Sequence, residues 1–446
     1  MRGYALALFG LTVSVSALIS LPLKQHVPTA AEVARLDAST NTSAVSRERS
    51  RLRVKRDRIG STRLVTATNL ISSYGVEVSV GEKSQHKYTL VVDTGSSTLW
   101  VGAQTNKPYV KTSSSRLQKP QPFSDKYASG SMTGAYYKDT VRIGSARLSN
   151  QGLGAARQSS GFSASFDGVL GLGPITLTYD IVPKVKSVPT VTDTLFAERK
   201  IPNRIVGISL VPTTQTSGSA LANGLISLGG VERTRFTGAL SWFPHVPNVA
   251  SSDYFNLAMD SLTYHPAGKS ARALTASPAR RVGIADSGTT LVFIPSDAFR
   301  LYKKAIPGAF SDGQGLLRIP NSAVASMGNV TLTFGRKSLV LTPDAQLFPP
   351  AMGSQFALGS AAVSVFADSG SINTGYDFVL GQMFMERYYA AFDAESMKVG
   401  FAETKYTYQR TYTGHVKTSS TKKPSAKAGS SRHVPRRRRS ADPRGL

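Results

Sequence analysis

The chain has 446 residues, with 53 Lys and Arg against 27 Asp and Glu, six His and no Cys, for a formal net charge of +26. That length can bury a large core and allows two or three units of ordinary domain size. The lack of cysteine excludes thiol catalysis and cysteine-ligated metal, but not export, because a core this large does not depend on disulfides. Aromatic and β-branched residues are plentiful, the 39 Gly and 23 Pro are spread throughout, and no stretch has the period of a long amphipathic helix, so mostly β architecture is expected. A charge of this size would suggest nucleic acid or anionic surfaces as partners. Residues 1–56, however, hold nine basic and three acidic residues, and residues 405–446 hold twelve and one. Most of the excess therefore lies in the two ends, and no nucleic-acid partner is expected.

Met1-Arg2-Gly3 opens the chain and a largely apolar run follows to about Leu23, with Val15-Ser16-Ala17 inside it. One positive charge, a short apolar core and small residues at its exit form the pattern of a secretory signal peptide rather than a membrane span. Residues 1–20 are assigned to it, with cleavage after Ala17 or Ser20. Residues 21–56 are polar and basic, a composition that by itself means a solvated segment. They end in Lys55-Arg56, a dibasic processing sequence.

Residues 57–245 are expected to form a first lobe. Within it, 69–80 alternates as a first long strand, 87–92 leads into an acidic turn, and 136–143 is a strand closing at Gly144. Residues 193–198 form the best short helix, capped by Thr192 or Asp193. A Pro-containing crossing over 244–252 leads to a second lobe, 246–404. There Asn329-Val330-Thr331 is a glycosylation sequon expected on a surface loop. From Lys405 the chain is Ser/Thr/Lys-rich, with Pro435-Arg436-Arg437-Arg438-Arg439 near its end. It has no apolar run for a membrane helix or a lipid-anchor signal, and is expected to be a flexible basic tail, with polyanion binding or trimming as the alternatives.

The chemistry lies in two stretches. Val91-Val92-Asp93-Thr94-Gly95-Ser96-Ser97-Thr98-Leu99-Trp100 runs from apolar to an acidic triplet and back, which places one carboxylate at the tip of a turn between buried strands. Val282-Gly283-Ile284-Ala285-Asp286-Ser287-Gly288-Thr289-Thr290-Leu291-Val292-Phe293 repeats the setting, matching Asp93 to Asp286, Thr94 to Ser287, Gly95 to Gly288, Ser96 to Thr289 and Trp100 to Phe293. Downstream of each copy comes an apolar-apolar-Gly run, Val169-Leu170-Gly171 and Val379-Leu380-Gly381, the glycine suiting close approach of another backbone. The chain looks duplicated.

These motifs, with Tyr127-Ala128-Ser129-Gly130-Ser131-Met132-Thr133-Gly134, Asn223-Gly224-Leu225-Ile226-Ser227-Leu228-Gly229-Gly230, Phe392-Asp393 and Val399-Gly400-Phe401-Ala402, resemble the pepsin-like aspartic proteases over roughly residues 70–403. The resemblance implies an all-β bilobal fold with a cleft between pseudo-twofold lobes. It implies Asp93 and Asp286 as a catalytic pair needing no cofactor and no metal, in a monomer that acts on proteins and peptides. It also implies that residues 21–56 are a basic propeptide covering the acidic cleft. The Thr94 and Ser287 hydroxyls would tie each turn to the other's backbone, while Ser96 and Thr289 bond the outer carboxylate oxygens. Ser287 departs from the commoner threonine but keeps the hydroxyl. Gly95 and Gly288 leave room for the two turns to meet. Tyr127 would be the flap tyrosine, paired with Trp100, and Ala128 and Ser129 would bind substrate as an added strand. Ala128 stands where glycine is common. Phe162, Phe166, Val169 and Ile284 are candidates to line apolar pockets or to be plain core.

Two like charges sharing a site cannot both ionise cheaply, so such a pair holds one proton, and one acid can activate water while the other protonates the substrate carbonyl. No two histidines stand at metal-binding helical spacing, and no Gly-x-Ser-x-Gly elbow is present. The competing readings are a binding protein of this fold with a disabled pair, against which both triplets stand intact, and a polyanion-binding protein acting through its basic tail. A secreted acid endopeptidase preferring bulky apolar residues is the expectation, with a vacuolar destination open.

Overall fold

The computed structural model describes residues 61–412, apart from 71, 84–85, 117–120, 128–129, 215–220, 276–279, 313–314, 351–360 and 372–374. The expected signal peptide, propeptide and far tail, and the flap residues Ala128 and Ser129, lie outside the described residues.

Strands dominate, and a shared motif organises each half. In the first half, His86–Asp93 runs parallel to Gly168–Gly171, with Val92 opposite Leu170 and Asp93 opposite Gly171, while Leu99–Val101 lies antiparallel on the other side of that strand. In the second, Arg281–Ala285 runs parallel to Val379–Leu380 and Val292–Ile294 is antiparallel to it. Each acidic turn thus leaves one flank of a short central strand and returns along the other. Val91, Val92, Val169, Leu170, Val379 and Leu380 are all buried, which is why the chain next to each acidic turn is a continuous apolar run rather than an alternating one. The duplication inferred from the residues is repeated in strand topology.

A second sheet region joins the halves. Thr237–Pro244, Lys398–Glu403, Tyr388–Asp393, Ile205–Ser209, Leu221–Leu228 and Arg63–Asn69 lie side by side in that order. Ala390 faces Ile208 and Phe392 faces Val206, so strands from the two halves share one hydrogen-bonded surface. The result is the all-β, two-lobed pepsin-like fold. Among the described residues, no helix is long and apolar enough to cross a membrane.

Four local expectations need correction. The stretch 69–80 is not one strand: Arg63–Asn69 and Tyr74–Val80 form a hairpin, Asn69 facing Tyr74, with Leu70 N–H donating to Ser73 O at 2.9 Å across the turn. The helix spans Val191–Ala197, and its cap is Thr190 rather than Thr192 or Asp193. Asp193 instead occupies the third helical position and completes a capping box, its backbone N–H donating to Thr190 Oγ1 and its carboxylate accepting from Thr190 N–H, each at 3.1 Å. Asn329 is exposed but begins the strand Asn329–Phe334 rather than sitting in a loop. Finally, residues 405–412, expected to open the free tail, are folded against the second lobe. Buried Arg387 donates to Tyr406 O, Gln409 O and Thr411 Oγ1, and Asp344 Oδ1 accepts from the backbone of Thr411 and Tyr412.

Candidate active site

The two acidic turns meet. Thr94 N–H donates to Ser287 Oγ at 3.1 Å and Ser287 N–H donates to Thr94 Oγ1 at 2.9 Å. Each hydroxyl then donates onward into the opposite turn, Thr94 Oγ1 to Ala285 O at 3.2 Å and Ser287 Oγ to Val92 O at 2.9 Å. Four buried bonds are closed by two side chains, and the pattern is symmetric between halves.

This grip brings the carboxyls together. A β-carbon on Gly95 would lie 2.6 Å from Asp286 Cγ, and one on Gly288 would lie 2.4 Å from Asp93 Oδ1 and 3.3 Å from Asp286 Oδ1. Only glycine fits at either point, because the space a side chain would need is filled by the partner's acid. The inner oxygens accept from backbone, Gly95 N–H to Asp93 Oδ1 at 2.9 Å and Gly288 N–H to Asp286 Oδ1 at 2.8 Å. The outer oxygens accept from hydroxyls, Ser96 Oγ to Asp93 Oδ2 and Thr289 Oγ1 to Asp286 Oδ2, the latter at 2.6 Å.

Both acids are fully buried. Burial, together with the nearby charge of Asp286, holds the Asp93 carboxyl well above the usual carboxylate range. Burial raises Asp286 as well, but less, because the Thr289 hydroxyl, Asp93 and the Gly288 N–H all hydrogen-bond its charged form. Acids this close titrate as one unit rather than as two independent groups.

Beside the acids lies an aromatic cluster. Trp100 Nε1–H donates to Tyr127 Oη at 2.5 Å, as the resemblance implied. Phe162 meets Trp100 edge-on at 4.8 Å between centroids and Tyr127 at 5.3 Å. Phe166 belongs to the same cluster and is almost wholly covered, whereas Phe162 is partly exposed. Val169 and Ile284 are fully buried and present no surface to a cleft, which assigns them to the core beneath the turns. The residue missed from the sequence is Asp125. It is buried, and its Oδ2 accepts from Thr98 Oγ1 at 2.7 Å and from Tyr127 Oη at 3.2 Å. The available signal was an acid at an inward-facing position of an alternating strand. Among the described residues, no cluster of three or more His, Cys, Asp or Glu could hold a metal ion. An open depression of about 910 Å³ beside Leu240 and Trp242 shares no residue with this site.

A bilobal β fold in which each half delivers one Asp-Thr/Ser-Gly turn to a common centre defines the pepsin-like class. The eukaryotic aspartyl protease family model matches residues 73–404. The chain is 37% identical over 349 residues to polyporopepsin of Irpex lacteus, covering 77% of this chain and 97% of that protein. It is 29% identical over 359 residues to cathepsin D of Homo sapiens, covering 74% and 81%. The crystal structure of the aspartic proteinase from Irpex lacteus matches with a TM-score of 0.71 at 36% identity, over 79% of this chain and 100% of that one. The chain belongs to the eukaryotic aspartyl protease family and is an aspartic-type endopeptidase.

Proposed function

We propose that the protein is a secreted acid endopeptidase, made with a basic propeptide, that hydrolyses extended peptides through a water held between Asp93 and Asp286. The reading is carried by one observation: two buried carboxyls, each hydrogen-bonded by its own glycine N–H and hydroxyl, set against one another by the Thr94–Ser287 grip. In the working state Asp93 carries the proton and Asp286 is ionised. Asp286 takes a proton from the water as its oxygen attacks the scissile carbonyl carbon, and Asp93 gives its proton to the carbonyl oxygen. The tetrahedral diol then collapses: Asp286 gives its new proton to the nitrogen as the C–N bond breaks, and Asp93 takes one from a diol hydroxyl, which returns the pair to its starting state. No covalent intermediate forms.

Substrate is bound as an added strand under the Tyr127–Gly130 turn, through the backbone of Ala128 and Ser129. Phe162 and the Tyr127 ring, backed by Phe166 beneath them, favour bulky apolar residues beside the cleaved bond. Activation removes residues up to about Arg56, since a basic segment docked on carboxylates loses its attraction when acid protonates them. N-terminal sequencing of secreted material checks this, and a mature start upstream of Arg47 argues against it. The vacuole is the alternative destination. The decisive test is cleavage of an unstructured protein at pH of about 3 to 5. Asp93→Asn and Asp286→Asn should each lose activity by a factor of about 1,000 or more while remaining folded, and an active variant would overturn shared-proton chemistry.

A further inference from the structure

The strand Gln121–Lys126 alternates, with Phe123 and Asp125 buried and their neighbours exposed. Side chains two apart on an extended chain share a face, so Phe123, Asp125 and Tyr127 line up on one inward side. That side is aromatic, built with Trp100, Tyr136 and Phe166. A carboxylate there is costly unless its oxygens are met. They are met by Thr98 Oγ1 and Tyr127 Oη on Oδ2 and by Lys126 N–H, at 3.0 Å, on Oδ1. The Tyr127 hydroxyl has one proton, which goes to Asp125, while the oxygen accepts from Trp100. Thr98 belongs to the segment that carries Asp93 back into the sheet, its carbonyl accepting from Gly171 N–H at 2.9 Å.

We propose that Asp125 is a positioning residue for peptide hydrolysis: it accepts the hydrogen bond that the Tyr127 hydroxyl donates, fixes that ring over the cleft, and ties it through Thr98 to the turn bearing Asp93. The proposal rests on Tyr127 acting as the flap tyrosine. Its consequence is that Tyr127 offers substrate an apolar ring and no free O–H donor. The pocket it forms with Phe162 therefore takes apolar side chains, and its shape is set before substrate arrives.

The test uses the mature protein and a peptide series, with kcat and KM measured separately. Asp125→Leu, which removes the acceptor, is expected to lower kcat about tenfold or more and to change KM less than about threefold. Asp125→Asn, which keeps one acceptor oxygen, should recover most of the loss. In a Tyr127→Phe background, Asp125→Leu should cost no more than about a further twofold, since the proton it serves is already gone. With Trp242→Phe, Trp100 is the remaining one of the two tryptophans, and its emission should shift on Asp125→Leu as it does on Tyr127→Phe. Losses that multiply across the two backgrounds, an unchanged kcat, or an unshifted Trp100 emission would overturn the proposal. If Asp125→Leu does not fold, Asp125→Asn in the same cycle decides, by whether its smaller loss vanishes in Tyr127→Phe or persists. Asp93→Asn, measured alongside, reports on the protease reading separately, and the fluorescence arm does not depend on it.

Discussion

Thr94 and Ser287, far apart in the chain, exchange backbone-to-hydroxyl bonds at 3.1 and 2.9 Å and each pass a hydrogen to a carbonyl beyond the other. The arrangement makes the position of each acidic turn a property of both halves. No water is needed to satisfy these groups, and neither half can shift alone without stranding a buried N–H and a buried carbonyl.

Removing either hydroxyl should therefore cost stability as well as activity. Thr94→Val leaves the Ser287 N–H and the Ala285 carbonyl without those partners, a loss of about 2 to 4 kcal/mol at the usual penalty for buried unpaired groups. Ser287→Ala should behave alike, leaving the Thr94 N–H and Val92 carbonyl. Denaturant unfolding of both variants and of the double variant checks this. The two losses should fall well short of additive, because the hydroxyls form one network.

The outer hydroxyls should set the pH limits. Hydrolysis as proposed needs one proton on the pair, so activity falls at low pH when Asp286 is protonated and at higher pH when Asp93 loses the shared proton. The Thr289 hydroxyl bonds charged Asp286 and lowers its pKa, so Thr289→Ala should move the acid limb to higher pH and narrow the profile. The Ser96 hydroxyl does the same for Asp93, so Ser96→Ala should move the alkaline limb to higher pH and widen it. The pH dependence of kcat/KM reads both.

A third acid should bias stability toward low pH. Burial pushes Glu386 from 4.5 up to about 7, outweighing the Gln382 hydrogen bond and the charge of Arg387. A carboxyl raised in the folded state contributes stability that is complete below its unfolded value and is lost as pH rises through its folded one. Between pH of about 4.5 and 7 this site alone should cost on the order of 3 kcal/mol. Glu386→Gln should flatten that part of the decline, read as melting temperature from pH of about 4 to 8.

Arg387 should govern how the chain ends. It is buried and bonds Tyr406 O, Gln409 O, Asp344 O and Thr411 Oγ1. Arg387→Met should release residues 405–412 to limited proteolysis and lower stability by about 3 kcal/mol, as expected for the loss of several buried charge-assisted bonds. Mass analysis of the nicked products locates the opening.

The two acidic turns, the strands that carry them and the all-β class were legible from the order of residues alone. Each turn with its flanking strands is written within a dozen adjacent residues, and the duplication writes it twice, whereas the all-β class is written in composition spread along the whole chain. The Thr190–Asp193 capping box was equally local and could have been read from its spacing. Tertiary structure alone decided that the Asp125 carboxylate faces Thr98 and the Tyr127 hydroxyl, that Ile284 is core rather than cleft lining, and that Arg387 holds residues 405–412. The division has a physical cause. Alternation and turn chemistry act between neighbours along the chain, whereas what a buried acid or guanidinium does depends on which donors and acceptors a different strand brings within about 3 Å.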